Sequence, residues 1–157
     1  MDYYGPVYIR INRNDLPVIT KEEEDFVIGK IYKIANGTDV TIFACGLMIY
    51  QTIQAREILA RRGISVRVVN VSTVKLLDVK QVRKYAKNMK GVVTTEEHSI
   101  IGGLGDAISD ALGEKMIRIK RVGINDTFGQ LVSNYEKLIK HYGLHPEVIV
   151  KKVEELL

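Results

Sequence analysis

At 157 residues, 46% hydrophobic and 27% charged, the chain has the length and balance of one soluble globular domain with a real core. A net charge of +4, with Lys and Arg interleaved among Asp and Glu, argues against the concentrated basic face of a nucleic-acid binder and leaves only mild attraction for phosphorylated metabolites. No apolar run reaches the length of a membrane span, no signal peptide opens the chain, and the single cysteine, Cys45, excludes an internal disulfide and fits a reducing, cytoplasmic setting.

Residues 1–17 stand apart. Val7, Ile9 and Ile11 alternate with Tyr8, Arg10 and Asn12, the period of a strand, and Asn14-Asp15-Leu16-Pro17 closes it with turn chemistry. One strand needs a sheet to join, either at the edge of the strands later in the chain or outside this chain. Residues 18–28 carry an acidic run and read as a solvated connection, with Thr20 and Glu23 spaced as a capping box for a short helical turn. Residues 29–34 alternate weakly, as an edge strand does. Asn36-Gly37 then signals a tight turn, so this strand is expected to pair antiparallel with the next.

From residue 40 the rhythm is regular. Residues 40–45 form a near-continuous apolar strand, the pattern of a sheet covered on both faces. Gly46 breaks it, a helix runs over 47–62, and Gly63 stops that helix. A strand over 64–71 leads through a loop to a helix beginning near Asp78, with Val79, Val82, Ala86 and Met89 as its inner stripe. Gly91 restarts the chain into a strand at 92–96, and Leu104, Ala107, Ile108, Ala111 and Leu112 mark one face of a helix that Gly113 caps. The alternation of apolar and basic residues over 116–122 predicts a strand with one wet face, at a sheet edge. After an irregular polar stretch, Tyr135, Leu138, Ile139 and Tyr142 share a face of a short helix. Pro146 opens a last helix with Ile149, Val153, Leu156 and Leu157 on its stripe. Strands separated by helices imply parallel pairing with right-handed crossovers. The predicted fold is α/β: a three-layer α/β/α sandwich on a mixed sheet of about five strands, with the first antiparallel.

The stretch 92–112 holds the candidate site, because a strand that ends in carboxylates and glycines beside a helix N-terminus is where α/β proteins bind ligands. Gly102, Gly103 and Gly105 fail the dinucleotide fingerprint, since Ile108 stands where its third glycine belongs; they read instead as a sharp turn with close helix packing. An anion at this helix N-terminus stays open, although Asp106 already complements the dipole. Glu96 and Glu97 are adjacent on a strand and therefore point to opposite faces, one against the turn amides or a partner chain and the other toward solvent. His98 reads as a turn residue that hydrogen-bonds. His98, His141 and His145 lie in separate contexts without metal-ligand spacing, and Cys45 reads as an inert buried thiol. Arg10 and Arg13 remain: Arg13, in a strand that ends at a turn, is either placed to fork around a phosphate or carboxylate or an ordinary surface arginine. No complete catalytic set emerges.

Several blocks together resemble the C-terminal part of the transketolase family, which includes 1-deoxyxylulose-5-phosphate synthase and the beta subunits of 2-oxoacid dehydrogenases. They are Gly5-Pro6-Val7-Tyr8-Ile9-Arg10 leading to Arg13-Asn14; Gly37-Thr38-Asp39-Val40 before the apolar strand; Val93-Thr94-Thr95-Glu96-Glu97-His98 with Ile101-Gly102-Gly103-Leu104-Gly105; Phe128-Gly129-Gln130; and His141-Tyr142-Gly143-Leu144. The chain departs from the pattern after Gln130, where Leu131 and Val132 replace the frequent Ser-Gly.

The resemblance implies a domain order: 1–17 as the last strand of a pyrimidine-binding domain, 18–28 as linker and 29–157 as the transketolase C-terminal domain. It implies that Arg13 binds the substrate's phosphate, and that Glu96, Glu97, His98, Gly102, Gly103 and Gly105 form a structural turn or interface. It further implies that this chain binds no cofactor, while the complete enzyme uses thiamine diphosphate and Mg²⁺ to move a two-carbon ketol unit between sugar phosphates in the pentose phosphate pathway. The expected partners are a second copy, in a homodimer, or the absent N-terminal domains. On this reading the chain is a C-terminal piece that should not turn over alone. The alternatives are a piece of the two related enzymes or a free-standing module for phosphorylated ligands at Gly102 to Gly105.

Overall fold

A computed structural model describes residues 3–12, 17–20, 25–129 and 134–157. Five strands form one mixed sheet in the order β1-β3-β2-β4-β5, where β1 is Tyr32–Ala35, β2 Val40–Ala44, β3 Val66–Asn70, β4 Gly91–Ser99 and β5 Ile119–Ile124. β1 runs antiparallel to β3, and the other three pairings are parallel. The helices are α1 (Met48–Arg61), α2 (Val79–Ala86), α3 (Leu104–Leu112), α4 (Tyr135–His141) and α5 (Pro146–Glu154).

The apolar run of β2 is buried at every position because both its faces are covered. Ile42 points with Val66 and Val93 into a core closed by Met48, Leu59, Ile149 and Val153 from α1 and α5. Phe43 points with Val69 and Val92 into the opposite core, closed by Val82 from α2 and by Leu104, Ile108 and Leu112 from α3. Alternation along each strand thus feeds two cores, and the three layers result.

Local chemistry sets the ends of the helices. Gly63, at φ +75°, takes the left-handed conformation that ends α1, and the Ile64 amide returns to the Leu59 carbonyl at 3.0 Å. The Asp78 carboxylate accepts the Gln81 amide at 3.0 Å and starts α2. Pro146 occupies the first turn of α5.

Two local expectations fail: Val79, read as part of the inner stripe of α2, is exposed, and the turn between β1 and β2 is not a hairpin. Asn36-Gly37 does not join neighbouring strands: β3 lies between β1 and β2. The glycine serves a close approach instead of a hairpin turn. A Cβ on Gly37 would stand 2.1 Å from the Val66 carbonyl carbon, where the chain crosses the start of β3. Thr38 and Asp39 donate their amides to the Ser65 carbonyl at 3.1 and 2.8 Å, and the Asp39 carboxylate accepts the Ser65 amide at 2.8 Å. These bonds hold the crossing in place of a β1–β2 ladder.

Boundaries also move: β1, β3 and β5 begin at residues 32, 66 and 119 where the pattern suggested 29, 64 and 116. β4 extends to Ser99, with a register irregularity against β5 between Thr95 and Ser99. Gly123 makes room for it, since a Cβ there would meet the Ile100 side chain at 2.8 Å and the His98 carbonyl at 3.0 Å. Residues 3–12 form no strand and leave Val7, Ile9 and Ile11 exposed. The spacing of Thr20 and Glu23 falls partly outside the described residues, as do Arg13 and the position of Leu131 and Val132.

Candidate functional site

The first helical residues of α3 leave amides without partners inside the helix, and its N-cap, Gly103, has no side chain to satisfy them. Glu96 does so from eight residues upstream. Its Oε2 accepts the Leu104 amide at 2.6 Å and its Oε1 accepts the Gly105 amide at 2.9 Å. The side chain is only 1% exposed, so its charge is stabilised by these amides and by the positive end of the helix. The glycines are what the carboxylate requires. A Cβ on Gly103 would stand 2.0 Å from Glu96 Oε2 and 2.7 Å from the Ser99 carbonyl oxygen. On Gly105 it would stand 2.8 Å from the Arg121 side chain. Gly102 is left-handed at φ +74° and donates its amide to the Asp106 carboxylate at 2.5 Å.

β5 contributes the outer wall of this junction. Arg121 pairs with Asp106 at 2.6 Å and donates to the Ile100 carbonyl at 3.0 Å and to the Ser109 hydroxyl at 2.9 Å. The Gly102 amide first, and the Arg121 guanidinium second, hold the Asp106 carboxyl below the ordinary carboxylate range. The place where an anion could have sat on the α3 N-terminus is therefore filled by the chain's own carboxylate, which argues against a phosphate-ligand module at Gly102 to Gly105.

Glu97 faces the other way. Its carbonyl accepts the Arg10 guanidinium at 2.8 Å, its carboxylate stands 3.5 Å from the same group, and the Asn12 amide nitrogen donates to it at 3.4 Å. Tyr135 of α4 lies beside it; burial, and then the Glu97 charge, raise its phenol above the ordinary range. At the end of β2, burial first and the Glu96 charge second push the Cys45 thiol up to about 12, so it stays protonated and inert near neutral pH. The crossovers from β2 and β4 diverge here, which is the switch point where open α/β sheets usually bind ligands.

The structure thus joins Glu96, Gly102, Gly103 and Gly105 in one closed junction, turns Glu97 toward the N-terminal arm and leaves His98 exposed. Sequence reasoning missed Arg121 as the wall of that junction and Asn12 and Tyr135 as neighbours of Glu97. The alternation in β5 marked Arg121 as half-wet, but its pairing with α3 is a long-range contact with no local signature. Among the described residues, no group of three or more His, Cys, Asp and Glu side chains is placed to hold a metal ion, and no helix is long and apolar enough to cross a membrane.

In this α/β sandwich the N-terminus of α3 at the switch point is closed by the chain's own carboxylate, Glu96. The chain belongs to the transketolase C-terminal domain family, described as "Transketolase, C-terminal domain", which matches residues 29–149. A Methanocaldococcus jannaschii protein, provisionally named a transketolase C-terminal section, is 40% identical over 98% of this chain and 49% of its own length. A subunit of the apulose-4-phosphate transketolase of Phocaeicola vulgatus is 36% identical over 100% of this chain and 50% of its own. A solved structure titled "Split gene transketolase, inactive beta4 tetramer" superposes with a TM-score of 0.82 at 35% identity, over 90% of this chain and 45% of that one. The chain spans about half the length of these relatives.

Proposed function

We propose that this chain is the C-terminal, non-cofactor part of a thiamine diphosphate-dependent transketolase-like enzyme that transfers a two-carbon ketol unit between sugar phosphates. It supplies subunit contacts and part of the substrate entrance. The observation that carries this reading is the filled α3 N-terminus inside a domain of this family. The described residues do not fit the cofactor: the positive helix end suited to a diphosphate already holds Glu96, and no carboxylate cluster suits its Mg²⁺. Cofactor chemistry is therefore assigned to the remainder of the enzyme, and Arg13 to the phosphate of the substrate.

In the same reading, residues 1–17 are the last strand of the neighbouring pyrimidine-binding domain, 18–28 are a linker and 29–157 are the C-terminal domain. Two observations support this. The family match begins at residue 29, whereas the match to the Phocaeicola protein covers the whole chain. The arm alternates like a strand yet has no ladder partner here. The exposed apolar row, and a relative solved as a beta4 tetramer, favour assembly with a second copy or with further transketolase domains; the single cysteine, Cys45, suits a reducing cytoplasm.

A coupled assay for ketol transfer from a ketose phosphate, with thiamine diphosphate and Mg²⁺, tests the reading. The chain alone is expected to show no turnover and no calorimetric heat with the cofactor; turnover by the chain alone overturns it.

A further inference from the structure

The arm meets the sheet at Glu97. Between Thr95 and Ser99 the register of β4 against β5 is irregular, and there the Glu97 carbonyl accepts the Arg10 guanidinium at 2.8 Å. The Glu97 carboxylate stands 3.5 Å from the same guanidinium nitrogen and accepts the Asn12 side-chain amide at 3.4 Å. Main chain and side chain of one residue thus hold the arm at two points. Arg10 and Asn12 both turn to Glu97, as residues two apart do on one side of an extended segment, about 7 Å along it. One contact fixes a position; two fix a direction as well.

The fold does not need this charge. The Glu97 side chain keeps 20% of its exposure and that of Arg10 55%, and so wet a pair adds little to stability. Capping of α3 falls to Glu96, one residue earlier. What the two contacts do set is the course of the chain that follows them. The next residue in the sequence is Arg13, assigned above to the phosphate of the substrate, and its Cα is one peptide, about 3.8 Å, beyond that of Asn12. A guanidinium fork recognises a phosphate only from the right place, so a shift of about 1 Å in the segment that carries it is costly.

We propose that Glu97 is a positioning residue of the substrate-phosphate site: from the C-terminal domain it holds Arg10 and Asn12, and thereby sets where the arginine that follows them meets the phosphate. Glu97 itself touches no substrate. The proposal rests on the assignment of Arg13 to that phosphate and deepens it by naming what orients the arginine.

Steady-state ketol transfer by the enzyme assembled from this chain and the remaining transketolase domains tests it, with an aldose phosphate and the same aldose lacking its phosphate as acceptors. Glu97→Ala should raise KM for the phosphorylated acceptor about tenfold, change kcat less than about twofold, and lower the preference for that acceptor, as a ratio of kcat/KM values, about tenfold. Arg10→Ala should do the same from the other side, and the double substitution should cost no more than either alone, because both remove one contact. Glu97→Gln, which keeps oxygen acceptors for Asn12, should restore the preference in part. A merely structural role would give an equal loss with both acceptors, or a lower kcat at unchanged KM; either result overturns the proposal, as does additivity of the two substitutions. Arg13→Ala separates the proposal from the assignment beneath it. If Arg13→Ala leaves the preference intact, the assignment falls and the proposal with it. If Arg13→Ala abolishes the preference and Glu97→Ala does not alter it, the proposal alone falls.

Discussion

Glu96 and Glu97 are chemically identical neighbours with opposite roles. The first lies in a dry junction, meets two main-chain amides and has lost its contact with water. The second lies at the rim, meets an arginine and an asparagine from the arm and keeps part of its exposure. Strand parity separates them and burial sets the size of their contributions. A hydrogen-bonded carboxylate with no solvent is expensive to disturb, whereas a half-wet ion pair is worth little to the fold and more to the orientation of what it holds.

That contrast can be broken most forcefully at Gly103. Gly103→Ala forces a methyl into Glu96 and the Ser99 carbonyl, and should destabilise the domain by about 3–4 kcal/mol in urea unfolding. A loss under about 1 kcal/mol would show that the junction relaxes easily. Glu96→Gln keeps the shape but turns an amide group toward an N–H donor, and should cost about 2 kcal/mol by the same measurement.

A smaller effect is expected in acid. The folded Asp106 carboxyl is held below its unfolded value, so its contribution is present above about pH 4 and is lost as pH falls through the lower folded value. Tm measured from pH 5 to pH 2 should therefore converge for the unaltered chain and Asp106→Asn; a constant gap would assign the effect of the substitution to something other than charge. The smallest change belongs to the rim. Arg10→Ala should alter domain stability by less than about 0.5 kcal/mol while speeding amide exchange in residues 7–12, and a large fall in stability would place the arm within the domain's own core.

Much of this was legible from local pattern. The apolar run of β2, the glycines that end α1 and open α3, and the parity of the two glutamates all come from short-range chemistry, and each stands as read. What escaped depends on contacts between distant segments. Asn36-Gly37 has the composition of a hairpin turn, but what decides its use is the Val66 main chain pressed against it. Arg121 looked like one basic residue in an alternating strand until α3 was laid beside it. The arm reads as a strand by period, yet period does not supply a partner, and residues 3–12 remain outside the sheet.

The crossing at Gly37 also changes what it costs to close the sheet. A hairpin could have closed β1 onto β2 within a few residues, at small loop entropy. Because β1 pairs with β3 instead, its ladder closes a loop that contains all of β2 and α1, at a larger entropy cost than a hairpin's. Before that ladder closes, the outer edge of β3 is open to strands of other chains in the same solution.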